Sequence, residues 1–226
     1  MKKIFLIISI ISFTFVASIA QRFTGDATKI GVNGFHWVPK IISNQYPKYR
    51  MYQMLEWTWT LNGLALEPTR QGNGNYDSYL ISAKQNGTEV IFCPNLIPSW
   101  MANENPNNWG DWMSQRLHRP GADPIDPQSY KEIGQYYWQL AARYGKVNYP
   151  DSLLWLNQIP RWTNDPVTPY ASGMNLLTYI EVENEPDRPW KDPQYKYTPE
   201  QYACLLSVAY DGHEGTVKGV GIKTAD

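Results

Sequence analysis

Three glutamates and an asparagine crowd into one short segment, T-Y-I-E-V-E-N-E-P-D-R-P-W, which ends at Trp190. Carboxyl groups this close repel one another, and where burial keeps water away each raises its neighbours' pKa. A structural segment gains little from that. A general acid that must hold a proton near neutral pH needs it, so Glu185, with Glu183 and Glu181 just upstream, is the candidate proton donor. Asn184 beside it is a candidate hydrogen-bonding ligand for a polar substrate.

The element that carries these groups is legible. Leu176, Leu177, Thr178, Tyr179, Ile180 and Val182 form an apolar, β-branched and aromatic run that suits a buried parallel strand. Pro186 ends it, because proline cannot donate to a ladder. Side chains alternate along a strand, so Tyr179, Glu181, Glu183 and Glu185 are expected on one side, with Ile180, Val182 and Asn184 on the other.

Upstream, strands and helices alternate. Lys29–Phe35 reads as a first strand with His36 and Trp37 at its end. Tyr49–Leu55 fits helical spacing at Met51, Met54 and Leu55, but its β-favouring aromatics make it a second strand. Tyr76–Asn86 is a helix stopped by Gly87, and Thr88–Pro94 is a third strand. A long loop, Asn95–Ile125, follows and would lie on the catalytic side of a barrel.

Asp126 caps the next helix with Pro127 at its first position. Its apolar stripe is Tyr130, Ile133, Tyr137, Leu140 and Tyr144. Asn148–Asn175 is an irregular insertion expected on the opposite face, with Trp155 and Trp162 in packing roles. After the fourth strand, Thr198-Pro199-Glu200-Gln201 opens a helix with a capping box, running to about Tyr210. Nothing after it reads as a fifth strand.

Composition bounds the rest. Residues 1–20 read as a signal peptide: Lys2 and Lys3, an apolar core Ile4–Val16, and Ser18-Ile19-Ala20 before the cut. That implies a secreted or periplasmic protein with no membrane span, since the apolar run is short for one. Cleavage takes the charge balance from 20 basic against 21 acidic side chains to 18 against 21, which gives no reason to expect nucleic acid. Ten Trp and sixteen Tyr suit sugar stacking as well as ordinary packing. Cys93 and Cys204 fall in regular elements and read as small buried residues. No Cys/His spacing implies a metal, and no cofactor is expected. An acidic Ca²⁺ site on Glu181, Glu183 and Asp187 lacks the loop oxygens calcium prefers.

The V-E-N-E-P segment, with G-V-N-G-F-H-W, Y-R-M-Y and C-P-N-L-I-P-S-W-M in that order, resembles the clan A glycoside hydrolases. It is most similar to members related to family 39. The resemblance covers roughly residues 29–210 and implies an α/β fold, a (β/α)8 TIM barrel of which the first four βα units are present. It implies residues 21–226 as the N-terminal half of a catalytic domain, acting on a carbohydrate substrate by retaining hydrolysis. Glu185 would be the acid/base and Asn184 the ligand of the sugar 2-hydroxyl. Arg50 would hold an active-site carboxylate, and His36, Trp37 and Trp100 would contact substrate. Glu181 has an alternative duty as a structural partner of Arg50. The pattern's nucleophile, a glutamate on strand seven, has no counterpart, so the chain alone is expected to lack turnover and to need a missing C-terminal half. The alternative is a non-catalytic carbohydrate-binding protein or an inactive fragment.

Overall fold

The structure, a computed structural model, describes residues 31–35, 39–54, 65–70, 74–95, 97–98, 101, 117–160, 162–187 and 196–225. Strand β1 spans Gly31–Phe35 and is followed by a one-turn helix, α1, at Lys40–Ser43. Then come β2 (Lys48–Met54), α2 (Tyr76–Gln85) and β3 (Glu89–Asn95). A 3₁₀ turn at Pro127–Tyr130 leads into α3 (Lys131–Tyr144). Strand β4 (Tyr179–Ile180) and helix α4 (Pro199–Gly215) complete the order, before a 3₁₀ turn at Ile222–Ala225. The strand reading of Tyr49–Leu55 holds over the described residues, and the helical alternative does not.

The four strands form one sheet in the order β1-β2-β3-β4, all pairs parallel. Each strand lies beside the next one in sequence, without the reversal of order that marks a doubly wound sheet. The chain is therefore α/β with an architecture compatible with part of a (β/α) fold. Registration sets the two faces. Asn33, Arg50, Ile91 and Tyr179 lie in one row, and Phe35, Tyr52 and Cys93 in the row nearer the strands' C-terminal ends. The opposite face carries Tyr49, Met51, Val90 and Phe92, all buried, against Tyr76, Tyr79 and Leu80 of α2. Gly34 belongs to that face for a steric reason. A Cβ there would meet the Tyr49 hydroxyl at 2.2 Å, and that hydroxyl donates to the Phe35 carbonyl at 3.0 Å.

Helix ends follow the chemistry read from sequence. Asn75 caps α2 by accepting from the Ser78 N–H, and Gly87 follows the last turn at φ 71°. Asp126 accepts from the Gln128 N–H, opening a 3₁₀ turn that feeds α3. The stripe Tyr130, Ile133, Tyr137, Leu140 and Tyr144 is fully buried. Gly134 sits where α3 crosses α4, its place for a Cβ lying 2.9 Å from Val208 Cγ1. Thr198 and Gln201 form the expected capping box on α4. Thr198→Ala should lower the unfolding free energy by about 1 kcal/mol, read in a denaturant titration. Helical dihedrals in α4 end after Tyr210, and Gly212, His213 and Glu214 run left-handed, as the glycine-rich sequence there suggests.

Two expectations need correction. The run from Leu176 to Val182 is not a long buried strand. Only Tyr179 and Ile180 pair with β3, with the Glu181 N–H extending the ladder onto the Phe92 carbonyl at 2.8 Å. Leu176 and Leu177 instead donate to the Tyr144 carbonyl at the end of α3. Strand β4 is the edge of the described sheet, so Tyr179 is 50% exposed. Nor do the insertion's tryptophans pack inward: Trp155 is 42% and Trp162 50% exposed. The insertion is held through its backbone, by Leu66 N–H to the Trp155 carbonyl at 2.7 Å and Asn157 N–H to the Leu66 carbonyl at 2.8 Å. Trp162 covers the buried Arg70 guanidinium, 5.1 Å from its ring centre.

A buried ion pair ties the layers together. Arg143 on α3 donates through Nε and Nη2 to the two oxygens of Asp77 on α2, with Nε–Oδ1 at 2.9 Å. The Tyr144 hydroxyl donates to Asp77 Oδ1 at 2.8 Å, and Arg143 Nη1 reaches the Pro169 carbonyl at 3.0 Å. Cys93 and Cys204 are buried and unbonded to each other. Among the described residues, no helix is long and apolar enough to cross a membrane.

Candidate active site

The site is built where β4 runs out. Arg50 stands on the face of β2 that α2 does not cover, on the same side as Tyr52, Cys93 and Glu181. Its guanidinium lies 4.3 Å from the Tyr52 ring centre, a cation–π contact that supports it from one side. Nε and Nη2 donate to the two oxygens of Glu181, a fork-to-fork arrangement. Nη2 also donates to Asn184 Oδ1 at 3.0 Å and approaches Cys93 Sγ at 3.6 Å. The Glu181 hydrogen bond raises the Arg50 pKa above its already high ordinary value, against the opposing effect of burial. The arginine is a fixed positive charge.

Beyond Val182 the backbone leaves the extended region. Glu183 has φ 66° and Glu185 φ 51°, so two non-glycine residues in the left-handed region bracket Asn184. That conformation costs roughly 1–2 kcal/mol per residue, and such strain clusters at functional sites. It also overturns the expected alternation, which holds only while the chain stays extended. Glu181 faces Arg50. Glu183 turns inward to 1% exposure, its Oε1 accepting the Asn184 backbone N–H at 3.0 Å. Glu185 is exposed, not set in the buried surroundings expected of it. Asn184 Nδ2 donates to Glu185 Oε2 at 3.2 Å.

Helix α4 and the residues leading into it brace this turn. The Tyr202 hydroxyl donates to the Val182 carbonyl at 2.9 Å, and the Tyr197 N–H to the Pro186 carbonyl at 3.0 Å. Burial and the nearby Glu181 push the Tyr202 phenol above its usual pKa, which keeps it a donor. The result is a hydrogen-bonded line running Glu181, Arg50, Asn184, Glu185, from the sheet face out to solvent. An exposed carboxyl at its end, steadied by an amide, can give or take a proton.

Of the residues expected to act, Arg50, Asn184 and Glu185 are brought together. His36, Trp37 and Trp100 lie outside the described residues, as do Trp109 and Trp112 of the long loop and the segment 1–20. Four contributors were not foreseen: Tyr52, Cys93, Tyr197 and Tyr202. For Tyr52 a signal existed, since it follows Arg50 by two and so shares its face. The Cys93 contact required the β2–β3 register. Among the described residues no group of three or more His, Cys, Asp or Glu could hold a metal ion.

No protein-family model matches the chain, and no curated protein matches it. Among solved structures it is similar to the crystal structure of Fpglu1 from Fervidobacterium pennivoraus, with 12% sequence identity and a TM-score of 0.36. The alignment covers 80% of this chain, which spans 37% of that one.

Proposed function

We propose that the chain carries the acid/base half of an exported retaining glycoside hydrolase, with Glu185 as general acid/base and Asn184 as ligand of the sugar 2-hydroxyl. The observation that carries the proposal is the Arg50–Asn184–Glu185 line at the C-terminal end of sequentially ordered parallel strands. That end is where (β/α)8 enzymes hold their chemistry. In this reading Glu185 protonates the leaving oxygen, then draws a proton from water in the second step. Asn184 steadies the 2-hydroxyl, a contact that strengthens as charge develops on the ring.

Retaining hydrolysis also needs a nucleophile about 5–5.5 Å from the acid. Glu181 is engaged by Arg50 and Glu183 is buried beside the Asn184 backbone, so neither is free to serve. In this reading the nucleophile comes from a C-terminal half that carries strands five to eight and completes the barrel. Glu185's exposure fits a site whose opposite wall belongs to that half.

The same observation favours a second reading, a carbohydrate-binding protein without turnover. A panel of 4-nitrophenyl β-glycosides separates them. We expect the 226-residue chain to release no nitrophenol, and the chain joined to strands five to eight to release it. Binding without release by the completed barrel would establish the second reading. Failure of both forms to bind any member of the panel would end both.

A further inference from the structure

We propose that Glu181 is a positioning residue, fixing through Arg50 which end of the Asn184 amide faces Glu185. The inference rests on the acid/base reading above.

The two ends of an asparagine amide are nearly the same size and opposite in chemistry: one oxygen that accepts, one NH₂ that donates. Packing alone chooses poorly between them, so the choice falls to hydrogen-bond partners. Here the decisive partner is Arg50, which has donors only. Its Nε–H and one Nη2–H are taken up by the two oxygens of Glu181. The second Nη2 hydrogen is thereby aimed away from Glu181, and Asn184 Oδ1 receives it at 3.0 Å. A flipped amide would set NH₂ against a guanidinium, donor against donor.

With Oδ1 committed, Nδ2 faces outward and donates to Glu185 Oε2 at 3.2 Å. The consequence reaches the proton. When Glu185 carries a proton, this bond favours Oε2 as its carbonyl oxygen and Oε1 as the hydroxyl, because a carbonyl oxygen is the better acceptor. Without Glu181, the guanidinium keeps, among the described residues, the Tyr52 ring face, the Cys93 sulfur and the Asn184 amide itself, and the ring and sulfur do not fix its rotation about Cδ–Nε.

The test uses ¹⁵N-labelled full chain, with the Asn184 side-chain signal assigned by its loss in Asn184→Ser. In the wild type the Nδ2 order parameter should be near the rigid value of about 0.85. In Glu181→Gln and in Arg50→Lys, each checked for folding by far-UV circular dichroism, it should fall below about 0.6. A mobile Asn184 amide in the wild type overturns the proposal without any variant. A rigid one in folded Glu181→Gln overturns it too. A second arm compares Kd for 4-nitrophenyl β-D-glucopyranoside and its 2-deoxy analogue. We expect a preference of about tenfold for the parent, the worth of one hydrogen bond, collapsing towards parity in Glu181→Gln. A preference that survives there defeats the positioning role. No binding of either glycoside by the wild type counts against the carbohydrate reading alone, and the order parameters then decide the positioning role by themselves.

Discussion

On the proposed acid/base reading, Glu185→Gln in the chain joined to strands five to eight should lower kcat for glycosides with poor leaving groups by about 10²–10⁴-fold, the usual contribution of a positioned proton donor. Glutamine keeps the size and one acceptor oxygen, so Asn184 Nδ2 retains a partner while the transferable proton is gone. The loss should depend on the leaving group. An alkoxide cannot depart without protonation, whereas 2,4-dinitrophenolate is stable as an anion and needs no acid. Bond cleavage with the dinitrophenyl substrate, read from the pre-steady-state burst, should therefore be nearly unchanged. A uniform loss across leaving groups would remove Glu185 from the acid role. Stability should not follow activity. Glu185 is exposed with φ 51°, so Glu185→Gly, which relieves the left-handed conformation, should hold or raise the unfolding free energy while activity falls.

Arg143→Met is the substitution expected to harm the fold most, by about 3–5 kcal/mol, because it leaves the Asp77 carboxylate buried without its counter-charge. It also strips a donor from the Pro169 carbonyl of the insertion. The double variant Asp77→Leu with Arg143→Met should recover much of that loss, since a well-packed apolar pair often matches a buried ion pair. Urea titrations of the wild type, both single variants and the double variant would measure the coupling. Additive losses would mean that the two groups do not depend on each other.

Much of this architecture was legible. The α3 stripe, the caps at Asn75, Asp126 and Thr198, and the glycine stop at Gly87 are local chemistry, and local chemistry is written in adjacent residues. The pair Glu181–Arg50 was readable as an alternative, because opposite charges on inward positions of nearby strands invite pairing. The Asp77–Arg143 pair was not. Each residue looks like an ordinary helix-end charge until the two helices are brought together. The path of the chain after Val182 was equally hidden, since glutamate rarely adopts positive φ and nothing at 183 or 185 announces a turn. The insertion misled for a related reason. Its anchors are backbone groups of Leu66, Trp155 and Asn157, which any sequence would offer, so large aromatic side chains drew the packing role that the main chain fills.

The lateral boundary at β4 has a practical side. Its outer rim borders a groove of about 370 Å³ lined by Leu140, Tyr179, Ile180, Tyr210 and Ile222. Main-chain groups beside such a slot recruit whatever extended peptide is at hand. A solution of these molecules at high concentration should thus grow clumpier with every increment, through strands borrowed from one another. Low protein concentration during purification is the sensible route to a clear preparation.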